Sequence, residues 1–130
     1  MTFARIWLAL NGLMFLVYGL VCVVAPDLPA GYAEMLLPTA TARTEVSAMY
    51  GGLQAGLGAL LCWSAMRAER VAQGLVVLVA LIGCLALGRG FGIAANGATA
   101  YNVGAVLYEA TAALIGFAAL RLVTARSVSA

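Results

Sequence analysis

The sequence predicts an all-α protein, a four-helix up-down bundle that is integral to a membrane. Hydrophobic residues make up 65% of the chain and charged residues 9%, against about 45–50% apolar and about 25% charged in an average soluble domain. The mean hydropathy is +1.04. The apolar residues form long runs, and in a bilayer such runs satisfy their backbone hydrogen bonds as helices. We interpret residues 1–130 as a single transmembrane domain, with predicted helices at about 3–25, 44–66, 71–95 and 103–124.

The first apolar run, from Phe3 to Ala25, predicts a retained first helix. It is longer than the roughly 20 residues that cross a hydrocarbon core, whereas the apolar part of a signal peptide has about 7–15 residues. Residues 26–43 then hold all three prolines, which indicates a loop. Within this loop we predict one or two helical turns at residues 32–37.

The second predicted helix begins near Thr44, a residue type that caps helix N-termini, and Glu45 next to it is favoured by the helix dipole. A charged turn at residues 67–70 separates the second helix from the third. Glycines around Gly97 mark the connection to the fourth. Because these connections are short, neighbouring helices are expected to run antiparallel.

The arginines predict how the chain is oriented. One side of the predicted bundle has Glu69 as its only acid and carries five arginines, namely Arg5, Arg67, Arg70, Arg121 and Arg126. Cytoplasmic loops of membrane proteins are enriched in cations. We therefore predict a multi-pass protein of the cell inner membrane, with both termini and the middle turn in the cytoplasm.

Several kinds of site are disfavoured by composition. The chain has no His, which is the commonest metal ligand, and its three cysteines are too far apart for a zinc or redox pair. The net charge of +2 is too small to indicate nucleic-acid binding. We expect no cofactor, no metal and no catalytic residue. Whether the protein is an enzyme stays open, and the composition leans against it.

Glycines predict where helices approach each other. In lipid, helices associate through small residues that let the backbones come close, and the G-x-x-x-G spacing is the best-known pattern. Gly52 and Gly56 have this spacing on the second predicted helix, and Gly88 and Gly92 have it on the third. Gly116 lies on the fourth. Such faces serve packing within the chain or contacts in an oligomer, and both remain open.

Three charged residues are expected at one level near the outer side. Glu45 begins the second helix, Arg89 comes late in the third, and Glu109 is about 9 Å inside the fourth if that helix starts near residue 104. An unpaired charge at the bilayer centre costs about 2.5–3.5 kcal/mol on insertion scales, so an arginine beside carboxylates is the expected compensation.

Polar residues on the helix faces extend this candidate network. Its predicted members are Glu45, Arg89, Glu109, Tyr18, Tyr50, Gln54 and Asn102. It is either a structural network that pins helices together or a polar pocket that opens outward and binds a proton, a cation or a polar head group. Two acids against one base keep the second interpretation open, because the second carboxylate needs a proton or another cation.

The densest pattern on the chain is one glutamate, a Tyr-Gly-Gly-Leu-Gln run and an arginine on successive helices. Its residues are Glu45, Tyr50 to Gln54, Gly58, Gly88, Arg89, Asn96 and Gly97. This pattern resembles the small bacterial four-helix membrane proteins of the domain of unknown function 4345 family. Asn96 stands where that family is expected to have Asp. A looser similarity to DoxX-type quinone-linked membrane subunits implies a redox-associated role by fold analogy alone.

Two functions follow as expectations. The first is a non-enzymatic accessory or assembly subunit, embedded in the lipid bilayer, that forms a homo-oligomer or joins a larger membrane complex through its glycine faces. The alternative is an outward-facing binding or carrier protein for a small polar or amphipathic ligand, such as a quinone, a lipid or a cation. A redox enzyme subunit is a third hypothesis, weakened by the absence of His and of paired Cys.

Overall fold

The computed structural model describes residues 1–128, with side chains to residue 125, and this part of the chain contains helices and no strand. The α-helices are α1 Thr2–Val24, α2 Asp27–Tyr32, α3 Ala40–Glu45, α4 Leu53–Met66, α5 Val71–Asn96 and α6 Ala100–Val128. A π-helical segment, Val46–Gly52, joins α3 to α4, and a 3₁₀ turn, Ala68–Arg70, precedes α5. The predicted all-α class is confirmed.

Three helical stretches are long and apolar enough to cross a membrane. They are Thr2–Val24, Ala68–Asn96 and Ala100–Ala125, with mean hydropathies of 2.1, 2.4 and 1.8. The region predicted as the second span is helical, but it is not one continuous α-helix, because the π-helical segment interrupts it. Two adjacent glycines end that segment. Glycine weakens helical backbone order, and π-helical turns are a common form of such local disruption.

The loop after α1 differs from its prediction. The helical turns lie at Asp27–Tyr32 rather than at residues 32–37. Proline is tolerated in the first turn of a helix, where no partner awaits its missing N–H, so Pro26 and Pro29 favour a start here. Glu34 then adopts a left-handed conformation with φ 57°. The Met35 N–H donates to the Ala30 carbonyl at 2.8 Å, which is the bond of a Schellman C-cap.

The predicted cap at Thr44 is wrong, because the helix starts earlier. Thr39 is extended and its Oγ1 accepts a hydrogen bond from the Ala42 N–H at 3.1 Å, which makes Thr39 the N-cap of α3. Thr44 lies inside α3, where its hydroxyl donates to the Ala40 carbonyl at 2.9 Å. Pro38 sets the earliest possible start, since a residue before proline avoids helical conformation and the helix can begin only after it.

The chain divides into two compact units. The arginine unit is Met1–Leu8 with Ser64–Ala130, and the glycine unit is Ala9–Trp63. In the arginine unit, Gly116 of α6 lies against Leu78 and Val79 of α5, while Arg89 lies against α6 near its other end. Because the sequence number rises on α5 as it falls on α6, these two helices are antiparallel.

Candidate functional site

An ion pair joins α5 to α6 in the arginine unit. The Arg89 Nη2 donates to Glu109 Oε1 at 2.7 Å, and its Nε donates to Oε1 at 3.0 Å and to Oε2 at 2.9 Å. The two side chains therefore meet in a two-point arrangement, the strongest geometry for an arginine and a carboxylate. The Glu109 side chain is 5% exposed and that of Arg89 is 23% exposed.

Two further residues of α6 contact the Arg89 guanidinium. Asn102 Oδ1 accepts a hydrogen bond from Nη1 at 3.1 Å, and the Tyr101 ring centroid lies 6.0 Å from the guanidinium carbon, within cation–π range. Arg89, Glu109, Asn102 and Tyr101 are called the Arg89 cluster below. Asn102 precedes Glu109 by seven residues, which places both on one face of the helix.

The Arg89 cluster balances charge where water is scarce. Removing two ions from water is costly, and the cost is offset only when the geometry is good and the remaining hydrogen bonds are made. Here one positive and one negative group meet directly. Asn102 accepts a hydrogen bond from Nη1, the guanidinium nitrogen that does not bond to the carboxylate. The arrangement can hold two helices at a defined register.

Of the predicted network, the structure brings Arg89, Glu109 and Asn102 together. The other members belong to the glycine unit. Glu45 is the last residue of α3 and is exposed, Tyr50 is exposed in the π-helical segment, and Gln54 and Tyr18 are half-buried. Tyr101 is a further member of the cluster that was not predicted from the sequence. Its signal was an aromatic residue beside Asn102 at the start of a helix facing an arginine.

Glycines make the closest helix contact in the glycine unit, between α1 and the segment that runs from Gly51 into α4. A Cβ added to Gly58 would come within 2.6 Å of the Gly12 carbonyl oxygen, and one added to Gly19 within 2.7 Å of the Gly51 carbonyl oxygen. Both distances are too short for any side chain. The two backbones therefore touch, and Gly12, Gly19, Gly51 and Gly58 are required there as glycines.

The predicted packing glycines are mostly different ones. A Cβ on Gly56, Gly88 or Gly92 would meet no atom within 4 Å in the described part of the chain, and one on Gly52 would meet an oxygen of its own helix at 3.9 Å. Among the predicted five, Gly116 faces another helix, because a Cβ added to it would lie 3.1 Å from Val79 Cγ2.

The physical reason for this difference is helix geometry. Gly52 is the residue after Gly51 in the π-helical segment, so it points in a different direction around the helix axis and cannot share the contact face. The signal that the sequence analysis missed was a spacing of seven residues between glycines, present both on α1 and on the partner segment.

No metal site is formed by the residues that the structure describes, since no group of three or more His, Cys, Asp or Glu side chains is close enough to hold an ion. Ser47 donates to the Cys22 carbonyl at 3.4 Å, and exposed Arg43 and Asp27 form a salt bridge at 3.1 Å in the glycine unit. These contacts link neighbouring segments.

Comparison with known proteins gives one match. The model of a family described as a domain of unknown function, DUF4345, matches residues 3–120, which include both the glycine contact and the Arg89 cluster. No curated protein and no solved structure matches the chain. The comparison therefore supplies membership and no activity.

Proposed function

The chain belongs to the family of domain of unknown function DUF4345, and from that premise we propose that it is a multi-pass protein of the cell inner membrane that acts without catalysis, as an accessory or assembly subunit. The single observation that carries this proposal is the Arg89 cluster. Its one buried acid is occupied by the arginine that neutralises it. Such a cluster holds helices together, and it leaves no acid or base facing a substrate.

Exposed apolar side chains support a location in the membrane. Large hydrophobic residues point outward all along α1, α5 and α6, for example Leu10, Leu81 and Leu114, each more than half exposed. Soluble monomers rarely expose apolar patches of more than a few hundred square ångströms. Lipid would cover these surfaces. The helical stretch from Ala40 to Met66, second in chain order, would join the three apolar helices as an additional pass and complete a four-helix up-down bundle.

The orientation remains as proposed from the arginines, with both termini and the turn at residues 67–70 in the cytoplasm. Arg126, one of the five arginines behind it, has a side chain outside the described residues. An impermeant thiol reagent on intact cells tests the orientation. In a variant without native cysteines, a cysteine at Pro38 should be labelled and one at Arg67 should not. The opposite pattern would invert the topology.

Open glycine faces support an accessory role. Gly52, Gly56, Gly88 and Gly92 have free space beside them, so a helix of another subunit could approach these faces closely. A second copy of the chain and a different membrane protein are both partners of this kind.

Purification of the tagged full-length chain from its native membranes in mild detergent tests the accessory role. We expect a second copy or a partner subunit to co-purify with the tagged chain in a fixed ratio. Gly56→Leu should lower the amount of co-purified partner per tagged chain while the chain itself stays folded. An exposed substitution on another helix, Leu122→Ala, is the matched control. If the parent chain elutes alone as a monomer, the accessory proposal fails.

A second candidate is a binding or carrier protein for a small polar or amphipathic ligand, a quinone, a lipid or a cation. The observation that favours it is the 23% exposure of the Arg89 side chain beside Tyr101 and Asn102. Native mass spectrometry of the purified chain would detect a retained ligand. Loss of that ligand in the double variant Arg89→Met with Glu109→Leu, together with retention in Leu122→Ala, would support this candidate over the first.

A further inference from the structure

Three arginines lie near one end of the arginine unit. Arg5 of α1 donates from Nε to the Ala65 carbonyl at 2.8 Å and from Nη2 to the Met66 carbonyl at 3.1 Å, at the C-terminal end of α4. Arg67 follows directly along the chain. The Arg70 N–H donates to the Arg67 carbonyl at 3.1 Å, so Arg67 and Arg70 lie within one turn.

A fourth arginine reaches the same end through α6. Gly116 lies against Leu78 of α5. From this contact, the first residue of α5 is about 10 Å away along α5, and Arg121 is about 7.5 Å away along α6 in the same direction. The antiparallel pairing therefore brings Arg121 within about one helical turn of the level at which α5 begins. We call Arg5, Arg67, Arg70 and Arg121 the basic end.

The charge of the arginine unit is strongly asymmetric along its length. Four arginines at the basic end face one acid, Glu69, which leaves 4 − 1 = +3. Towards the other end, Arg89 and Glu109 cancel, and residues 71–88, 90–108 and 110–120 contain no charged residue. Arg67 and Arg121 are exposed. The hydrogen bonds of Arg5 go to neutral carbonyls, so its charge is not neutralised.

We propose that the basic end binds the phosphate headgroups of anionic phospholipids. This rests on the membrane location proposed above, because the apolar sides of α5 and α6 would then sit in acyl chains and the basic end at the headgroup level. The arginine fork matches phosphate oxygens in two-point geometry, and all seven cations of this chain are arginine. Basic clusters beside membrane helices are attracted to anionic lipid surfaces.

Quenching by brominated lipids tests this with the protein as it exists. The full-length chain is reconstituted in phosphatidylcholine vesicles that contain either brominated phosphatidylglycerol or brominated phosphatidylcholine. Quenching of the native tryptophans reports which lipid lies beside the protein, and Trp7 is two residues from Arg5. We expect phosphatidylglycerol to bind several-fold more strongly than phosphatidylcholine, with the preference falling as salt screens the charges.

Matched variants locate the preference. Arg67→Gln with Arg70→Gln and Arg121→Gln removes three exposed or half-exposed charges and leaves Arg5, which holds the end of α4. Each arginine is expected to strengthen binding to the anionic lipid by about fivefold at most. Removal of three arginines should therefore bring the ratio of the phosphatidylglycerol and phosphatidylcholine binding constants close to one. The control is Arg43→Gln in the glycine unit, where Arg43 is already paired with Asp27, and it should keep the parent ratio.

The outcomes separate this inference from the proposed function. Equal quenching by both lipids in the parent, or a parent-like ratio in the triple variant, would overturn the anionic-lipid proposal and leave the membrane location standing. If neither lipid quenches tryptophan, the chain is outside the bilayer and both proposals fall. If inorganic phosphate at constant ionic strength abolishes the preference, the basic end is a phosphate site and not a lipid site.

Discussion

In the glycine unit, α1 and the segment leading into α4 approach until Gly58 lies against the Gly12 carbonyl, whereas in the arginine unit α5 and α6 are joined through the long side chains of Arg89 and Glu109. The first contact uses the absence of side chains, and its stability comes from dispersion between backbones in close approach. The second uses charge, and its stability depends on both partners being present.

The two contacts therefore have opposite vulnerabilities. A glycine contact tolerates no added atom, because the obstacle is backbone, which cannot rotate away. A buried ion pair tolerates changes of size better than the loss of one charge, because the remaining ion is then left without compensation. The same experiment, melting of purified variants in one detergent, can therefore distinguish them.

The largest effect is expected from Arg89→Met. This variant leaves the Glu109 carboxylate buried without its cation, and breaking a buried pair costs about 3–5 kcal/mol. The melting temperature should fall strongly. Arg89→Lys is the informative companion, since it keeps the charge but loses the two-point geometry and should lie between Arg89→Met and the parent.

The double variant Arg89→Met with Glu109→Leu completes that test. Replacement of a buried ion pair by apolar residues is often neutral or stabilising, so the double variant should recover much of the stability lost in Arg89→Met. If it melts no better than the single variant, the pair contributes more than mutual neutralisation. If Arg89→Met itself melts like the parent, the guanidinium reaches water and the pair is not a buried one.

Next in size is Gly58→Ala, in which one methyl group must fit against the backbone of α1. Overpacking of this kind costs about 1–3 kcal/mol, and we expect a clear loss of melting temperature. Gly56→Ala, two residues earlier and beside open space, is the matched control and should melt like the parent. Equal melting of both variants would mean that α1 and α4 are not in backbone contact.

A smaller effect is expected from Asn102→Ala. It removes a neutral acceptor at 3.1 Å from the guanidinium while the Glu109 bonds stay in place. A hydrogen bond to a charged group contributes about 1.5–3 kcal/mol. Because Arg89 is partly exposed, water can replace part of this bond. The loss in the free energy of unfolding should therefore lie at or below the lower end of that range. A loss as large as that of Arg89→Met would show that Asn102 positions the whole pair.

The smallest effect is expected from Gly116→Ala. Its added methyl would lie 3.1 Å from Val79 Cγ2 and 3.2 Å from Leu78 Cδ2, both at the ends of side chains that can shift. We expect a loss below about 1 kcal/mol, less than at Gly58, because a side chain yields where a backbone does not. A larger loss than in Gly58→Ala would reverse the comparison between the two units.

Sequence patterns predicted the parts of this structure that depend on local chemistry. The apolar composition and long runs predicted helices, and the first, third and fourth helices were expected within a few residues of α1, α5 and α6, apart from a later start and an earlier end for the fourth. The seven-residue spacing of Asn102 and Glu109 placed these two on one face. Helical periodicity carries such information because it is a property of the chain itself.

The tertiary structure alone decided which small residues touch, whereas the loop before the second helical region decided where that region starts. Gly51 and Gly52 are chemically identical neighbours, yet only Gly51 faces α1, because the choice depends on the rotation of one helix against another. Thr39 and Thr44 are both suitable caps, and the position of Pro38 and the path of the loop selected the earlier one. Local preferences determine what each residue is able to do, and long-range packing determines which residue does it.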